Sequence, residues 1–181
     1  VHSVKLGPAI GGCRFLHYPN TEKAIEDALR LSYMMSYKAA ITKLPHGGAK
    51  AVLIRPSLMQ DREAYFEAFG SFVNELGGCY VTAVDSGTSP DEMDIIARKT
   101  KFVTCTNASG SAGDPSPITA LGVRRGIEAA VKFKLGKDSL EGVHVAIQGL
   151  GHVGRLLAAD LSKRGARLTI TDVDVKAMTR S

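Results

Sequence analysis

Between Val143 and Asp174 the chain reads VHVAIQGLGHVGRLLAADLSKRGARLTITDVD. This run leaves little freedom in how it can fold. Val143–Gln148 is an apolar strand, and Gly149-Leu150-Gly151-His152-Val153-Gly154 is a GxGxxG turn. A helix follows to about Lys163, Gly165 stops it, and a second strand, Arg167–Thr171, ends at Asp172. A strand, a crossover helix and a returning strand make a parallel pair, the building unit of α/β sheets.

Each glycine of the turn has a separate task. Gly149 permits the tight bend, Gly151 lets backbone approach a pyrophosphate, and Gly154 lets helix and strand pack closely. The free N–H groups at the helix start face the phosphates. His152 and Arg155 line or flank the turn, and Leu150 and Val153 complete it. Asp172 follows Gly154 by eighteen residues, placed to accept hydrogen bonds from an adenosine ribose. Its charge repels a 2′-phosphate, which favours NAD over NADP; Asp174 is the alternative acid. A GxGxxG alone is weak evidence, but here strand, turn, helix, strand and acid fall in register, which predicts dinucleotide binding.

Upstream, Asn20 or Thr21 caps a long helix to about Ala40, and Pro45-His46-Gly47-Gly48 breaks it. Ala51–Ile54 reads as a buried strand. A second helix spans Asp61 to Leu76, ended by Gly77-Gly78. CYVTAV is a strand, and Ser89-Pro90-Asp91-Glu92 is a capping box that starts another helix. KFVTCT reads as a further strand, and the turn-rich Asn107–Pro117 as a domain boundary. ITALGVRRGIEAAVKFKL is helical. The fold class is therefore α/β. An α/β domain, 1–115, is followed by the start of a Rossmann-type NAD-binding domain, 116–181, with only its first strand–helix–strand present.

The second informative stretch is LPHGGAKAVLIRP, where Lys50 is the only charge between Gly47 and Ile54. A P-loop needs glycine before the lysine and Ser or Thr after it, and alanine stands at both places. An amine with small neighbours suits a reaction in which it must lose its charge. Desolvation and a second cation both favour the neutral form, and Lys38 offers that cation from the preceding helix.

Composition removes several other classes. Cys13, Cys79 and Cys105 are odd in number and far apart, which suggests reduced thiols in a cytoplasmic protein and neither a disulfide frame nor a metal site. The formal net charge is +5, but the basic residues are scattered, so no nucleic-acid partner is expected. No apolar run approaches a membrane span, and the first residues do not read as a secretory signal.

The segments LGPAIGGCRF, DALRLSYMMSYKAAITKLPHGGAKAVL, YVTAVDSGT, GDPSPITALGV and VAIQGLGHVG together resemble the amino-acid dehydrogenases of the glutamate/leucine/phenylalanine/valine superfamily, with the leucine dehydrogenase branch most similar. The resemblance covers the chain from end to end, in order. It implies that Lys38, in the "YK" motif, pairs with the substrate α-carboxylate. Lys50, closing "GGxK", would be the catalytic base, and Asp85, in "DxG", would hold and relay protons at the substrate amino group. Thr119, in "PSPxTA", would lie near the nicotinamide. Taken singly, these are a helix-end lysine, a strand-edge lysine and a loop-capping acid; with the cofactor turn they imply catalysis. The plain reading of His46 is a turn residue.

Glutamate-specific members of the superfamily are similar in carrying a lysine just before the first GG, where this chain has Ile10. An aliphatic residue there would leave a distal carboxylate unpaired at a cost of several kcal/mol. Ile10, with Gly11 and Met35, therefore implies an apolar pocket. The expected reaction is reversible, NAD-dependent oxidative deamination of an apolar, branched-chain L-amino acid, with phenylalanine still open. The expected partners are that small molecule and further copies of the chain. A nucleotide-binding or assembly module without catalysis, and a glutamate dehydrogenase (opposed by Ile10), are the alternatives. Because the superfamily's chains are about twice this length, the chain is expected to lack an opening segment and the remainder of the cofactor fold.

Overall fold

The computed structural model describes residues 1–179, which divide into two compact units, one of residues 1–114 and one that starts at Pro115. The first is built on an all-parallel sheet with β1 (Ala9–Leu16) in the middle. One edge of β1 pairs with β2 (Gly47–Gly48) and then β3 (Ala51–Ile54). The other pairs with β4 (Tyr80–Val84). The register does not change across the gap between β2 and β3: Ile10 faces Gly48 before it and Cys13 faces Ala51 after it.

Helices connect these strands, as parallel pairing requires. The helix α1 (Thr21–Ile41) starts at Asn20, whose side chain accepts from the Lys23 N–H. The helix α2 (Arg62–Glu75) starts at Asp61 in the same manner. The predicted capping box is present at α3 (Pro90–Ala97), with Ser89 and Glu92 bonding reciprocally. Side chains of β1 alternate between two faces. Ala9, Cys13 and Phe15 join Phe66, Phe69, Val73, Met93 and Ile96 in the core. The even-numbered residues Ile10, Gly12 and Arg14 lie on the opposite face, where α1 packs. A Cβ on Gly48 would fall 2.2 Å from the Ser36 nitrogen, so bare glycine lets α1 lie directly on β2.

Three sequence expectations need correction here. The first twenty residues carried no predicted strand, yet β1 is the centre of the sheet. Gly47-Gly48, read as a helix breaker only, also pairs as β2. KFVTCT forms no strand. The Phe102 carbonyl accepts from the Thr82 N–H and the Thr104 N–H donates to the Thr82 carbonyl, making an isolated bridge at Val103. Cys105 then turns the chain away at φ +63°.

The second unit holds α4 (Ser116–Leu135), β5 (His144–Gln148), α5 (His152–Lys163), β6 (Arg167–Thr171) and α6 (Val175–Thr179). The strands β5 and β6 pair in parallel, His144 to Arg167 through Gln148 to Thr171. Ala120, Val131, Ile147, Leu157 and Leu161 form its own core. Arg124, buried on α4, reaches Glu128 and Asp160 at 2.6 Å each and so ties α4 to α5.

Candidate active site

Lys50 stands in the gap between β2 and β3, and Asp85 follows directly on β4. Because both strands keep register with β1, position 50 lies beside Gly12 and position 85 beside Arg14, on the α1 side of the sheet. Gly12 makes the meeting of the two side chains geometrically possible. A Cβ there would fall 2.7 Å from the Asp85 Cβ and 2.6 Å from the Val84 oxygen. Gly11 has the same constraint on the other edge, where a Cβ would fall 1.7 Å from the Ala49 oxygen.

Across this glycine floor the Lys50 Nζ lies 2.8 Å from Asp85 Oδ2, with the lysine side chain 7% exposed. The same oxygen accepts from Arg14 Nε at 2.9 Å. Arg14 Nη1 in turn donates to Asp27 Oδ2 at 2.8 Å, and the Tyr18 hydroxyl donates to that oxygen at 2.6 Å. Arg30, exposed on α1, reaches the other Asp27 oxygen at 3.3 Å. The chain of contacts is thus Lys50–Asp85–Arg14–Asp27, with two cations on one carboxylate oxygen.

The loop that carries Asp85 is held tightly. The Thr88 hydroxyl accepts from the Asp85 N–H and lies within hydrogen-bond reach of the Cys13 and Asp85 carbonyls. The Ser86 carbonyl accepts from the Phe15 N–H. Gly87 adopts φ +84° with the Phe15 oxygen 2.0 Å from where a Cβ would be. Arg62 braces the loop from α2, donating to the Gly87 carbonyl and to Glu92.

Burial disfavours charge on Asp27, but the bonds from Tyr18 and Arg14 outweigh it and hold the carboxyl below its usual range. Burial likewise works against the Arg14 charge, and Asp85 and Asp27 more than offset it. Under the sheet, burial pushes the Cys13 thiol up to about 11 and raises the Tyr80 phenol as well. Both are neutral at ordinary pH, so the charges of the site are those of the network.

The other residues singled out in the sequence have definite places. Lys38 is exposed on α1 and makes no ion pair among the described residues. At roughly 100° per residue it shares a flank of the helix with Leu31 and Asp27, and Asp27 reaches the network. Met35 is half-buried on that helix, and Ile10 half-buried on the matching face of β1. The His46 Nδ1 lies 2.9 Å from the Pro8 carbonyl oxygen, a turn contact.

In the second unit Gly149 takes φ +97° and Gly151 caps α5. A Cβ on Gly154 would fall 1.9 Å from the Gly149 oxygen, so the third glycine is a packing requirement. Around Gly149 and Gly151 a Cβ would meet nothing within 4 Å, which leaves open backbone at the start of the helix. Leu150 is buried beneath the turn, while His152 and Arg155 are exposed and Val153 is half-buried. The Leu150 N–H donates to Asp172 at 2.5 Å and the Asp174 N–H at 2.8 Å. These bonds hold the Asp172 carboxyl below its usual range. Among the described residues Asp174 accepts only from the Lys176 N–H. The Thr119 hydroxyl donates to the Pro115 carbonyl at 2.8 Å within its own helix turn.

Arg14, Asp27, Tyr18 and Gly12 escaped the sequence reading. One signal was available: Arg14 is the only charge in AIGGCRFL, an odd place for a guanidinium without a buried partner.

A parallel α/β fold with a half-buried lysine–carboxylate pair on one unit and a glycine turn on the other defines a candidate nucleotide-dependent enzyme. Residues 1–102 match the family model described as Glu/Leu/Phe/Val dehydrogenase, dimerisation domain, and the chain belongs to that family, with its leucine dehydrogenase branch. It is 47% identical to leucine dehydrogenase of Bacillus cereus, over 100% of this chain and 50% of the relative. It is 44% identical to valine dehydrogenase of Streptomyces virginiae, over 100% and 51%. Among solved structures, L-tryptophan dehydrogenase from Nostoc punctiforme matches with a TM-score of 0.67 and 40% identity, over 99% of this chain and 50% of that one. The chain thus spans about half the length of these relatives.

Proposed function

We propose that the chain carries the substrate-handling domain (1–115) and the first part of the Rossmann-type cofactor domain (116–181) of an NAD-dependent dehydrogenase of apolar L-amino acids. The observation that carries this reading is the half-buried Lys50–Asp85 pair, supported by a family whose relatives are leucine, valine and tryptophan dehydrogenases.

The residues of the turn fit a dinucleotide. The open backbone at Gly149 and Gly151 and the helix start at His152 suit a pyrophosphate, with Leu150, Val153 and Gly154 holding the turn and Arg155 flanking it. Asp172, ionised and held in place, suits the ribose diol and disfavours a 2′-phosphate. Thr119 is assigned to the nicotinamide end. NAD+ supplies the acceptor for the hydride from the substrate α-carbon.

Lys38 then pairs with the α-carboxylate. Asp85 accepts a proton from the substrate ammonium, so that the amine is neutral when the hydride leaves and an iminium forms. Lys50, without its proton, takes one from water as the oxygen attacks the iminium carbon. Asp85 returns its proton to nitrogen and then takes the carbinol hydroxyl proton as the C–N bond breaks, so that the carbonyl of the 2-oxo acid forms and ammonia departs. Lys50 and Asp85 then pass their protons to solvent. Ile10, Gly11 and Met35 meet the side chain of the substrate. An apolar wall leaves a second carboxylate without a partner, so leucine, valine or isoleucine is favoured over glutamate. These three differ by about a methylene, which discriminates only weakly.

The direct test is NADH production from leucine by the protein and by Lys50→Ala. Loss of a general base predicts a fall in kcat of about 10²–10⁴-fold. Equal rates would remove Lys50 from the mechanism, and a preference for glutamate over leucine would overturn the assignment of the pocket. We further propose self-association through this domain, on an exposed apolar ridge of α1.

A further inference from the structure

The ion pair that identifies the site also poses a difficulty. A lysine must lose its proton to act as a base, yet a carboxylate at 2.8 Å favours the charged amine. Removing one charge of a half-buried pair also strands the other in a setting with little water to compensate it. A site with only Lys50 and Asp85 would resist the step it exists to perform.

Arg14 removes the difficulty. Its Nε lies on the same Asp85 oxygen that Lys50 contacts. A guanidinium stays charged throughout the working pH range. We propose that Arg14, anchored by Asp27, is the permanent counter-ion of Asp85, so that Lys50 releases and regains its proton without leaving an unmatched charge. This rests on the reading of Lys50 as base. Arg14 is a positioning residue in it, acting through Asp85 and touching no substrate.

The surroundings support a specific role for Arg14. From α1, Asp27 takes the second arm of the guanidinium at 2.8 Å and thereby fixes its orientation. Asp27 is itself matched by Tyr18 and by Arg30, so Arg14 need not leave Asp85 to satisfy it. From the sheet, Cys13 and Tyr80 lie on the opposite, core face as neutral groups. From α2 and α3, Arg62 and Glu92 are bonded to each other and to the loop. Lys38 on α1 adds positive charge on the flank that Asp27 occupies. No other cation among the described residues is bonded to Asp85 besides Lys50 and Arg14. With two cations on one oxygen, mutual repulsion favours loss of a proton from the only one that can release it.

The test reads Lys50 directly. Reductive methylation with ¹³C-formaldehyde proceeds only on a neutral amine, and peptide mass spectrometry reports its rate at Lys50 as a function of pH. Arg14→Gln removes the charge and keeps hydrogen-bonding reach. Its half-reaction pH is expected to rise by about one unit, seen as about tenfold slower labelling at a fixed pH below the midpoint. Arg14→Lys keeps the charge and is expected to restore most of the shift. Arg14→Met, which keeps the apolar stem, replaces Arg14→Gln if that variant does not fold. The acid limb of kcat/KM should move with the labelling midpoint.

An unmoved midpoint in the neutral variants overturns the proposal, as do equal shifts in Arg14→Gln and Arg14→Lys, which would reduce Arg14 to a geometric brace. The separate outcome in which Lys50→Ala retains full turnover sinks the base assignment and leaves the labelling result standing.

Discussion

Gly12 separates two strands that each deliver a catalytic candidate, and its hydrogen atom is where a side chain would stand. Gly12→Ala places a methyl group 2.7 Å from the Asp85 Cβ and 2.6 Å from a carbonyl oxygen of β4. Neither neighbour is the end of a flexible side chain, so β1 and β4 must part or Asp85 must turn away from Lys50. Overpacking of this kind costs about 1–3 kcal/mol, and a misplacement near 1 Å at a reacting group lowers rate by about 10²-fold. Urea unfolding and leucine turnover of Gly12→Ala measure the two effects. A stable variant with unaltered kcat would show that Asp85 does not need to cross β1. The same residue explains what the sequence could reveal. Lys50 and Asp85 stood out because each is a charge set among small or turn-forming neighbours. Arg14 and Asp27 did not, because their pairing depends on the register of β1 with β4 and on where α1 lands, and neither quantity is encoded locally.

Among the elements, legibility followed the strength of local signals. The helices were readable from their caps: Asn20, Asp61 and Ser89 each accept a backbone N–H at the expected start. β1 was not, because both of its faces are covered and glycines occupy its centre, so AIGGCRFL lacks the alternation of a half-exposed strand. KFVTCT carried that signal and fails as a strand once Cys105 turns to positive φ. The α3 start also sets an acid sensitivity. Burial opposes charge on Glu92, but bonds from Ser89 and Arg62 more than compensate and keep its carboxyl below the usual range. The folded value lies below the unfolded one, so the stabilisation is present above roughly pH 4.3 and is lost as pH falls through the depressed value. Glu92→Gln removes this pH-dependent part. Melting curves of the two proteins should differ at pH 7, by about 1 kcal/mol for partly exposed charged bonds, and converge as pH falls through the depressed Glu92 value. A difference that stays constant across the whole acid range would mean the effect lies in shape and not in charge.

At the scale of the molecule, α1 faces two ways. Its inner side carries Ala24, Ser32 and Ala39 against the sheet. Its outer side carries Ile25, Leu29, Tyr33, Tyr37 and Ile41 at four-residue intervals, all largely exposed, with Leu29 at 66% and Ile41 at 84%. Spacing of four residues places these side chains in one continuous ridge. His2 meets Tyr33 edge-on at 5.0 Å, and the neighbouring Val1, Val4 and Leu6 are exposed as well. Single exposed apolar residues need no explanation, but a contiguous ridge of this kind marks an interaction surface. The occupant argued for is a second copy of the chain, because the family model matched over residues 1–102 describes a dimerisation domain and a two-fold interface is the commonest way to bury one patch against itself. In such an interface each substitution acts twice. Burying one leucine contributes about 1.5–3 kcal/mol, so Leu29→Glu, which adds a carboxylate to the buried centre, should weaken association by several kcal/mol in each two-fold contact. Sedimentation velocity at micromolar concentration is expected to show a smaller species for Leu29→Glu than for the unaltered protein, with unchanged circular dichroism because residue 29 lies outside both cores. A sedimentation coefficient that does not move would exclude the α1 ridge from the interface.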